Sequence, residues 1–379
     1  MKVLGLMSGT SADGVDAVLA EFHGPVLRPR WTILASANHA YTPELRQRII
    51  EAGQGSPLAA ADWLELAEAI TEAQARAARR CDPDGAAQLV GCHGQTVWHR
   101  PPADGRRGAS WQVLQAPLLA QLLATPVIHD FRGADLALGG QGAPLVPATD
   151  AALLGRIGGW RALLNLGGIA NVTLIPPARG PERNAPVRGW DCGPANTLID
   201  LASQRLSGGA RLFDAGGGWA AEGQVDESLV QRWLQEPYFQ QQPPKSTGRE
   251  LFGAADLERR LKDLQESRPG HSSADALASL TALSAGAVAQ ELRRGTLPLD
   301  LLVAGGGARN DTLMRELRRR CCGVRVRPLL ELGIADDQRE ALAFALLAWW
   351  HHRRQPGSLP SVTGAERAAL LGVRAEASR

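Results

Sequence analysis

Apolar and polar positions alternate along this chain in two recurring designs. In residues 2–22 an apolar run, Val3 to Met7, meets a turn of small polar residues, after which Val15, Ala17 and Leu19 alternate with Asp16, Val18 and Ala20. Residues 160–175 repeat the design: an apolar run reaches Gly167 and Gly168, and a β-branched run follows. Both read as strand, tight turn, strand. Their separation points to two halves built on one plan, although two unrelated hairpins would leave the same trace. Helical spacing fills the intervals. Ser56 and Pro57 read as N-cap and first-turn residue ahead of Trp63, Leu66, Ile70 and Ala73. Ser273 reads as the cap of a helix carrying Leu277, Leu280, Val288 and Leu292 and ending at Gly295. Asn310 opens a third helix that stops at Gly323, and a fourth runs from about 337 to 352 with Leu342, Ala345, Leu346 and Trp349 on one face. Short strands are expected at 89–91, 127–129 and 301–304. Three stretches rich in Pro, Gly and charge, 101–110, 176–188 and 240–249, read as exposed loops. Strands alternating with helices give an α/β protein of two lobes.

Composition narrows the function. A length of 379 residues with 44% apolar content suits two cores rather than one. Lys and Arg total 41 against 39 Asp and Glu, so the basic excess of a nucleic-acid-binding protein is missing. The five cysteines are odd in number and show no C-x-x-C spacing, which fits neither a disulfide framework nor a zinc site. The chain opens directly on a strand-like run and holds no apolar stretch of about 18 residues. A cytoplasmic protein with no membrane partner is therefore expected.

Candidate chemistry gathers in a few places. Ser8 to Asp16, S-G-T-S-A-D-G-V-D, is a turn whose backbone N–H groups and hydroxyls suit an anion, and whose Asp13 and Asp16 suit a hydrated Mg²⁺. A polar hairpin turn is the bland alternative. It is not a Walker A loop, because no G-x-x-x-x-G-K-[ST] occurs in the chain. In L-V-A-G-G-G-A-R-N a strand runs into Gly305, Gly306 and Gly307 before a helix opens at Asn310, so the backbone there can lie close to a ligand. The match to a dinucleotide fingerprint at Gly216, Gly218 and Ala221 lacks a preceding strand and reads as accidental. Asp191, in G-W-D-C-G-P-A-N, precedes a Gly-Pro turn, where it can act as a general base or merely cap the next helix. Further polar clusters stand at loop positions: C-H-G-Q-T-V-W-H from Cys92, D-F-R-G-A-D from Asp130 with G-G-Q-G-A-P-L-V-P from Gly139, and Glu340 at a helix start. His93, His99 and His129 follow no standard ligand spacing.

These segments, together with P-P-K-S-T-G-R-E-L-F, L-N-L-G-G-I-A-N-V-T and a late S-V-T-G-A, resemble in their order the anhydro-N-acetylmuramic acid kinase family, from Gly5 to Ala365. The resemblance implies the actin-like ATPase fold of sugar kinases and heat-shock chaperones: two ribonuclease-H-like lobes, here 1–132 with 353–379 and 133–352, with an active-site cleft between them. It implies ATP held by Gly9, Thr10, Ser11, Ala12, Asp13, Gly14, Val15 and Asp16 in a first hairpin. Asn165, Gly167, Gly168 and Asn171 would form the second, and Gly305, Gly306, Gly307 and Asn310 would contact adenosine. Mg²⁺ would sit at Asp13 and Asp16. The reaction implied is unusual. O6 of the sugar is tied to C1, so water must attack C1 while O6 takes the γ-phosphoryl group, giving N-acetylmuramate 6-phosphate in cell-wall recycling. Asp191 matches the base and Glu340 a second carboxylate near the sugar. Thr96, Gln95, Arg132 and Gly142 match substrate positions, and Arg132 suits the lactyl carboxylate. A homodimer is implied as well. Cys192 replaces a more usual Thr and Ala195 a more usual Gly, which puts a hydroxyl contact in question. Two other readings stay open at this point: a kinase for a neutral anhydrosugar such as levoglucosan, and an ATP-driven binding module of the chaperone kind.

Overall fold

The structure, a computed structural model, describes residues 1–103, 105–243 and 245–378. Asp104 and Pro244, within two of the expected loops, and Arg379, at the end of the expected first lobe, lie outside the described residues. In chain order the strands are β1 Lys2–Ser8, β2 Gly14–His23, β3 Arg30–Ala40, β4 Leu89–Arg100, β5 Ala109–Val113, β6 Val127–His129, β7 Arg161–Leu166, β8 Ile169–Ile175, β9 Arg188–Pro194, β10 Asp300–Ala304, β11 Arg325–Pro328 and β12 Val373–Ala375. They form two sheets in two compact units, one made of Met1–Gly155 with Asp337–Arg379 and the other of Arg156–Asp336.

In the first unit the order is β12-β6-β4-β1-β2-β3, with β5 paired to β4. β1, β2 and β3 are an antiparallel meander, and β4 then lies parallel to β1 and β6 parallel to β4. In the second unit the order is β11-β10-β7-β8-β9, again an antiparallel meander followed by two parallel strands. The two hairpins foreseen from the hydrophobic pattern thus open two sheets of one topology. Burial follows strand position. Central β1 is buried from Val3 to Ser8, whereas β3, at the edge, alternates exposed and half-buried residues along its whole length.

The helix Arg339–His352 is seated on the first sheet by two glycines. Gly5 and Gly91 face each other in the β1–β4 register. A Cβ at Gly5 would stand 1.9 Å from the Ala341 carbonyl oxygen, and one at Gly91 would stand 2.2 Å from that of Phe344. Only hydrogen at both positions lets the helix backbone come this close. The same helix packs on the helix Val146–Leu154, tied by Arg339 to Asp150, a buried pair at 2.6 Å. Both helices belong to the compact unit that ends at Gly155 and resumes at Asp337.

Several local expectations need correction. Ser56 and Pro57 precede the helix, which starts at Ala60; the Asp62 carboxylate accepts the Ala59 N–H there and makes the cap. Ser272, not Ser273, caps the helix Ser273–Arg294, because its hydroxyl and the Asp275 carboxylate exchange backbone bonds. Asn310 does cap its helix by accepting from the Leu313 N–H, but that helix ends at Arg320. The strand expected at 89–91 continues to Arg100 because β5 pairs with its second half, so the C-H-G-Q-T-V-W-H motif lies on a strand.

Candidate active-site groups in each unit

The β1–β2 hairpin of the first unit is braced from below. The buried Ser8 hydroxyl lies 2.6 Å from Gln95 Oε1 and 2.8 Å from the Gly14 carbonyl, and it accepts from Tyr41 at 3.0 Å. Gln95 Nε2 donates to the Gly9 carbonyl at 3.0 Å and to that of Thr96 at 3.2 Å. Gln95, foreseen on the substrate, is wholly buried with both ends of its amide engaged in fixing the turn. Ala12 and Val15 face the core, and Ala12 adopts a left-handed φ of 54°. Thr10, Ser11 and Asp13 are exposed, leaving hydroxyls and backbone accessible to an anion.

The carboxylates of this hairpin differ. Asp13 is exposed and pairs with Arg46 at 3.4 Å. Asp16 is half-buried and accepts from Asn38 Nδ2 at 2.7 Å. Burial raises its proton affinity, Asn38 opposes that, and the charges of Asp337 and Asp13 add to it. Among the described residues no three His, Cys, Asp or Glu side chains gather as a cage. Two carboxylates with a free oxygen on Asp16 are nevertheless a donor set that suits Mg²⁺, which keeps most of its waters and shares phosphate oxygens.

Arg132, expected at the sugar, is held in place by main chain and by a neutral histidine. Its Nη1 donates to the Gly142 carbonyl at 2.8 Å, and its Nε and Nη2 lie 3.3 and 3.0 Å from His93 Nε2. His93 Nδ1 lies 3.0 Å from the Gly94 carbonyl, which fixes the proton on that nitrogen and leaves Nε2 as acceptor. Burial first, and the Arg132 charge second, lower the His93 pKa to about 3, so the ring stays neutral. Gly142 therefore serves Arg132 through its carbonyl, and its N–H donates to the buried Asp135 carboxylate at 2.8 Å. Asp135 in turn accepts from Thr363, joining the D-F-R-G-A-D and S-V-T-G-A motifs. Thr96 is half-buried and accepts from Gln112 Nε2 at 3.1 Å. Gln112 also reaches Ser110, which meets His99, so four polar groups line one face of the β4–β5 hairpin. Glu340, in the first turn of its helix, reaches solvent, yet desolvation is the largest influence on it and raises its pKa. Arg339 and Arg132 act against that shift, Asp150 and Asp16 with it.

In the second unit the strand pairing lines up Asn165, Asn171 and Asp191. Asn165 faces Asn171 across β7–β8, and Asn171 faces Asp191 across β8–β9. Asp191 lies within β9 and caps nothing: its Oδ2 accepts the Thr247 N–H at 3.0 Å, and the helix Asn196–Leu206 starts without a side-chain cap. Asn196 instead donates to the carbonyls of Leu166 and Gly167. Burial raises the Asp191 pKa, the Thr247 N–H lowers it, and the Glu250 charge raises it. The Gly305 turn abuts this hairpin. At its φ of 84° a Cβ would lie 2.9 Å from both Asn165 Oδ1 and the Leu166 carbonyl oxygen. Asn310 works as a helix cap beside that turn. A cavity of about 320 Å³ opens next to Gly167, Gly168, Asn196, Thr197, Asp200 and Arg249, and the buried Thr197 hydroxyl there has no hydrogen-bond partner among the described residues. Gly216, Gly218 and Ala221 lie on two short helical turns with no strand before them. Cys192 is buried in the core beside Asp191, at a slip in the β8–β9 register.

Sequence reasoning missed the surroundings of Asp191. Lys245, Thr247, Tyr238 and Glu291 all bear on it, directly or through one neighbour. The only trace in the sequence was the P-P-K-S-T-G-R-E-L-F motif, which carried no assigned role.

The profile of the family described as anhydro-N-acetylmuramic acid kinase matches residues 1–377. A relative of that name from Synechococcus sp. strain CC9605 is 63% identical over 379 residues, covering 99% of each chain. Another from Prochlorococcus marinus strain MIT 9303 is 62% identical over 381 residues, covering 99% of this chain and all of its own. Among solved structures, a ROK family glucokinase from Streptomyces griseus in complex with glucose and AMPPNP aligns over 92% of this chain and 99% of its own. It is 15% identical, with a TM-score of 0.38.

Proposed function

The chain belongs to the anhydro-N-acetylmuramic acid kinase family, and we propose that it couples ATP-dependent phosphorylation of the anhydro sugar to hydrolytic opening of its ring, with Asp191 as the base. Water attacks C1, the C1–O6 bond breaks, and O6 takes the γ-phosphoryl group from ATP. Asp191 takes the proton of the water, and the products are ADP and N-acetylmuramate 6-phosphate. The observation that carries this assignment is the state of the Asp191 carboxyl. One oxygen is fixed by the Thr247 N–H, and the other accepts no hydrogen bond among the described residues. Its raised proton affinity suits a group that must accept a proton in the transition state.

The two hairpins, with the Gly305–Gly307 turn, are assigned to ATP. Asn165, Gly167, Gly168 and Asn171 offer amide groups and close-lying backbone to phosphate oxygens, and the unpartnered Thr197 hydroxyl adds a donor. Asp13 and Asp16 would hold Mg²⁺, which neutralises phosphate charge when bound. Gln95 supports the first hairpin from beneath. Glu340 and Thr96 are assigned to the sugar and its water, and Gly142 to the support of Arg132. The enzyme is taken to act in the cytoplasm as a homodimer, on small molecules and with neither nucleic acid nor membrane as partner.

Ring opening leaves a signature. In ¹⁸O-labelled water, with the reaction quenched before anomeric exchange, the product should carry the label at C1 and none in its phosphate. A product with labelled phosphate, or with no label at C1, overturns the mechanism.

The guanidinium of Arg132, steadied by His93 and Gly142, is assigned to the lactyl carboxylate, a charge-assisted contact that a neutral anhydrosugar cannot make. Arg132→Ala should raise KM for the muramic sugar about tenfold or more and leave KM for levoglucosan nearly unchanged. Equal effects on both sugars would detach Arg132 from the carboxylate.

A further inference from the structure

We infer that residues 245–249 form a strap that positions the base, with a buried Lys245–Glu291 pair as its anchor and the Thr247 N–H as its grip on Asp191. The inference rests on the reading of Asp191 as the base.

Lys245 and Glu291 side chains are each only 2% exposed, and their charged atoms lie 2.8 Å apart. The ammonium also donates to the Tyr238 carbonyl at 3.2 Å and sits 4.7 Å from the centre of the Tyr238 ring. The second Glu291 oxygen accepts from Trp190 Nε1 at 3.0 Å. Both partners of the ion pair are thus satisfied on more than one side. Separating them would strand a charge in the interior, so the pair tolerates essentially one arrangement.

That arrangement closes on the base. The Asp191 N–H donates to the Lys245 carbonyl at 3.1 Å, and the Tyr238 hydroxyl donates to the Asp191 carbonyl at 3.0 Å. Two residues after Lys245, the Thr247 N–H reaches Asp191 Oδ2. The described part of segment 245–249 has no helix or strand of its own, so its position has to come from these bonds. The anchor fixes the segment, the segment fixes one carboxylate oxygen, and Oδ1 is left facing outward from that bond.

Among the charged groups around Asp191, Glu250 favours its protonated form, while Glu291 is paired with Lys245 at 2.8 Å and with Arg294 at 3.5 Å. Cys192, next in the chain, has a thiol pushed well above its ordinary range by burial and stays neutral, and Tyr238 is likewise held neutral by burial. The Thr247 N–H is the group that favours the ionised base. Loosening the strap therefore raises the proton affinity of Asp191, and the acid limb of the kcat/KM profile moves to higher pH.

The deciding protein is the full-length enzyme with the Thr247 N–H replaced by an ester oxygen, through incorporation of the α-hydroxy analogue of threonine, which leaves every side chain in place. Its acid limb should move up by about half a unit or more, with kcat reduced several-fold and KM for ATP within about twofold of the parent. Lys245→Met should move the limb in the same direction. An unmoved limb in the ester protein overturns the strap, whatever Lys245→Met does. An unmoved limb in a folded Lys245→Met protein overturns the anchor role of the ion pair. Asp191→Asn separates the two readings: if it abolishes turnover while the ester limb stays put, the strap alone fails, and if it keeps turnover, the base assignment fails.

Discussion

Asp191→Asn should lower turnover by about 10²–10⁴-fold while the fold and nucleotide binding survive. Asparagine has the shape of aspartate and retains an oxygen that can accept the Thr247 N–H, so the bond that orients the side chain is kept. What it cannot do is take a proton from water. Stability should move in the opposite sense to activity. The Asp191 pKa is raised in the folded chain, chiefly by burial, so its ionised form costs stability once the pH passes the ordinary value of 3.8 and then the folded one. The amide carries no such cost, and Asp191→Asn should melt at or above the parental temperature at neutral pH. Single-turnover assays with ATP calorimetry and thermal unfolding check all three statements. Activity near the parental level would remove Asp191 from the role, and a lower melting temperature would contradict the burial cost.

Much of the frame was legible because it rests on local signals. An apolar run broken by small polar residues specifies a hairpin wherever it occurs, and the glycine triplet before Asn310 specifies a strand-to-helix turn. Both appear as read, down to the Asn310 cap. Asp191 was ambiguous from its neighbours, since a carboxylate before a Gly-Pro bend can cap a helix as well as act as a base. Its partner is supplied from 56 residues away in the chain, where no spacing rule reaches. Gln95 shows the same limit of local reading: its motif grouped it with the sugar, while the bond that its side-chain carbonyl accepts from Ser8, 87 residues earlier, is visible only in the fold. Lys245 looked like any lysine in a polar loop and Glu291 like any glutamate near a helix end, and only tertiary packing makes them a buried pair. Cys192 is buried in the core and falls where β9 slips in register against β8, a bulge that no sequence pattern announced.

The second large effect concerns a glycine that looks like an ordinary interruption of a strand. Gly5→Ala should lower the melting temperature by about 5–10 °C, and Gly5→Val should prevent the first unit from folding. A strand glycine usually weakens its sheet, and alanine there would ordinarily help. Here the added Cβ meets main chain: the Ala341 carbonyl oxygen at 1.9 Å and the Ala345 nitrogen at 2.8 Å. No rotamer change relieves a clash with backbone, so the helix Arg339–His352 has to move off β1. That helix carries Glu340 in its first turn, and activity should fall further than the loss of stability alone accounts for. Gly53→Ala is the matched control, because a Cβ there meets only an ordinary contact at 3.5 Å, at the end of a helix where alanine is favoured. Calorimetric melting of the two alanine variants decides the matter. A Gly5→Ala protein that melts with the parent and keeps its activity would mean that the helix is not seated on β1 through these glycines, and the placement of Glu340 would lose its structural basis.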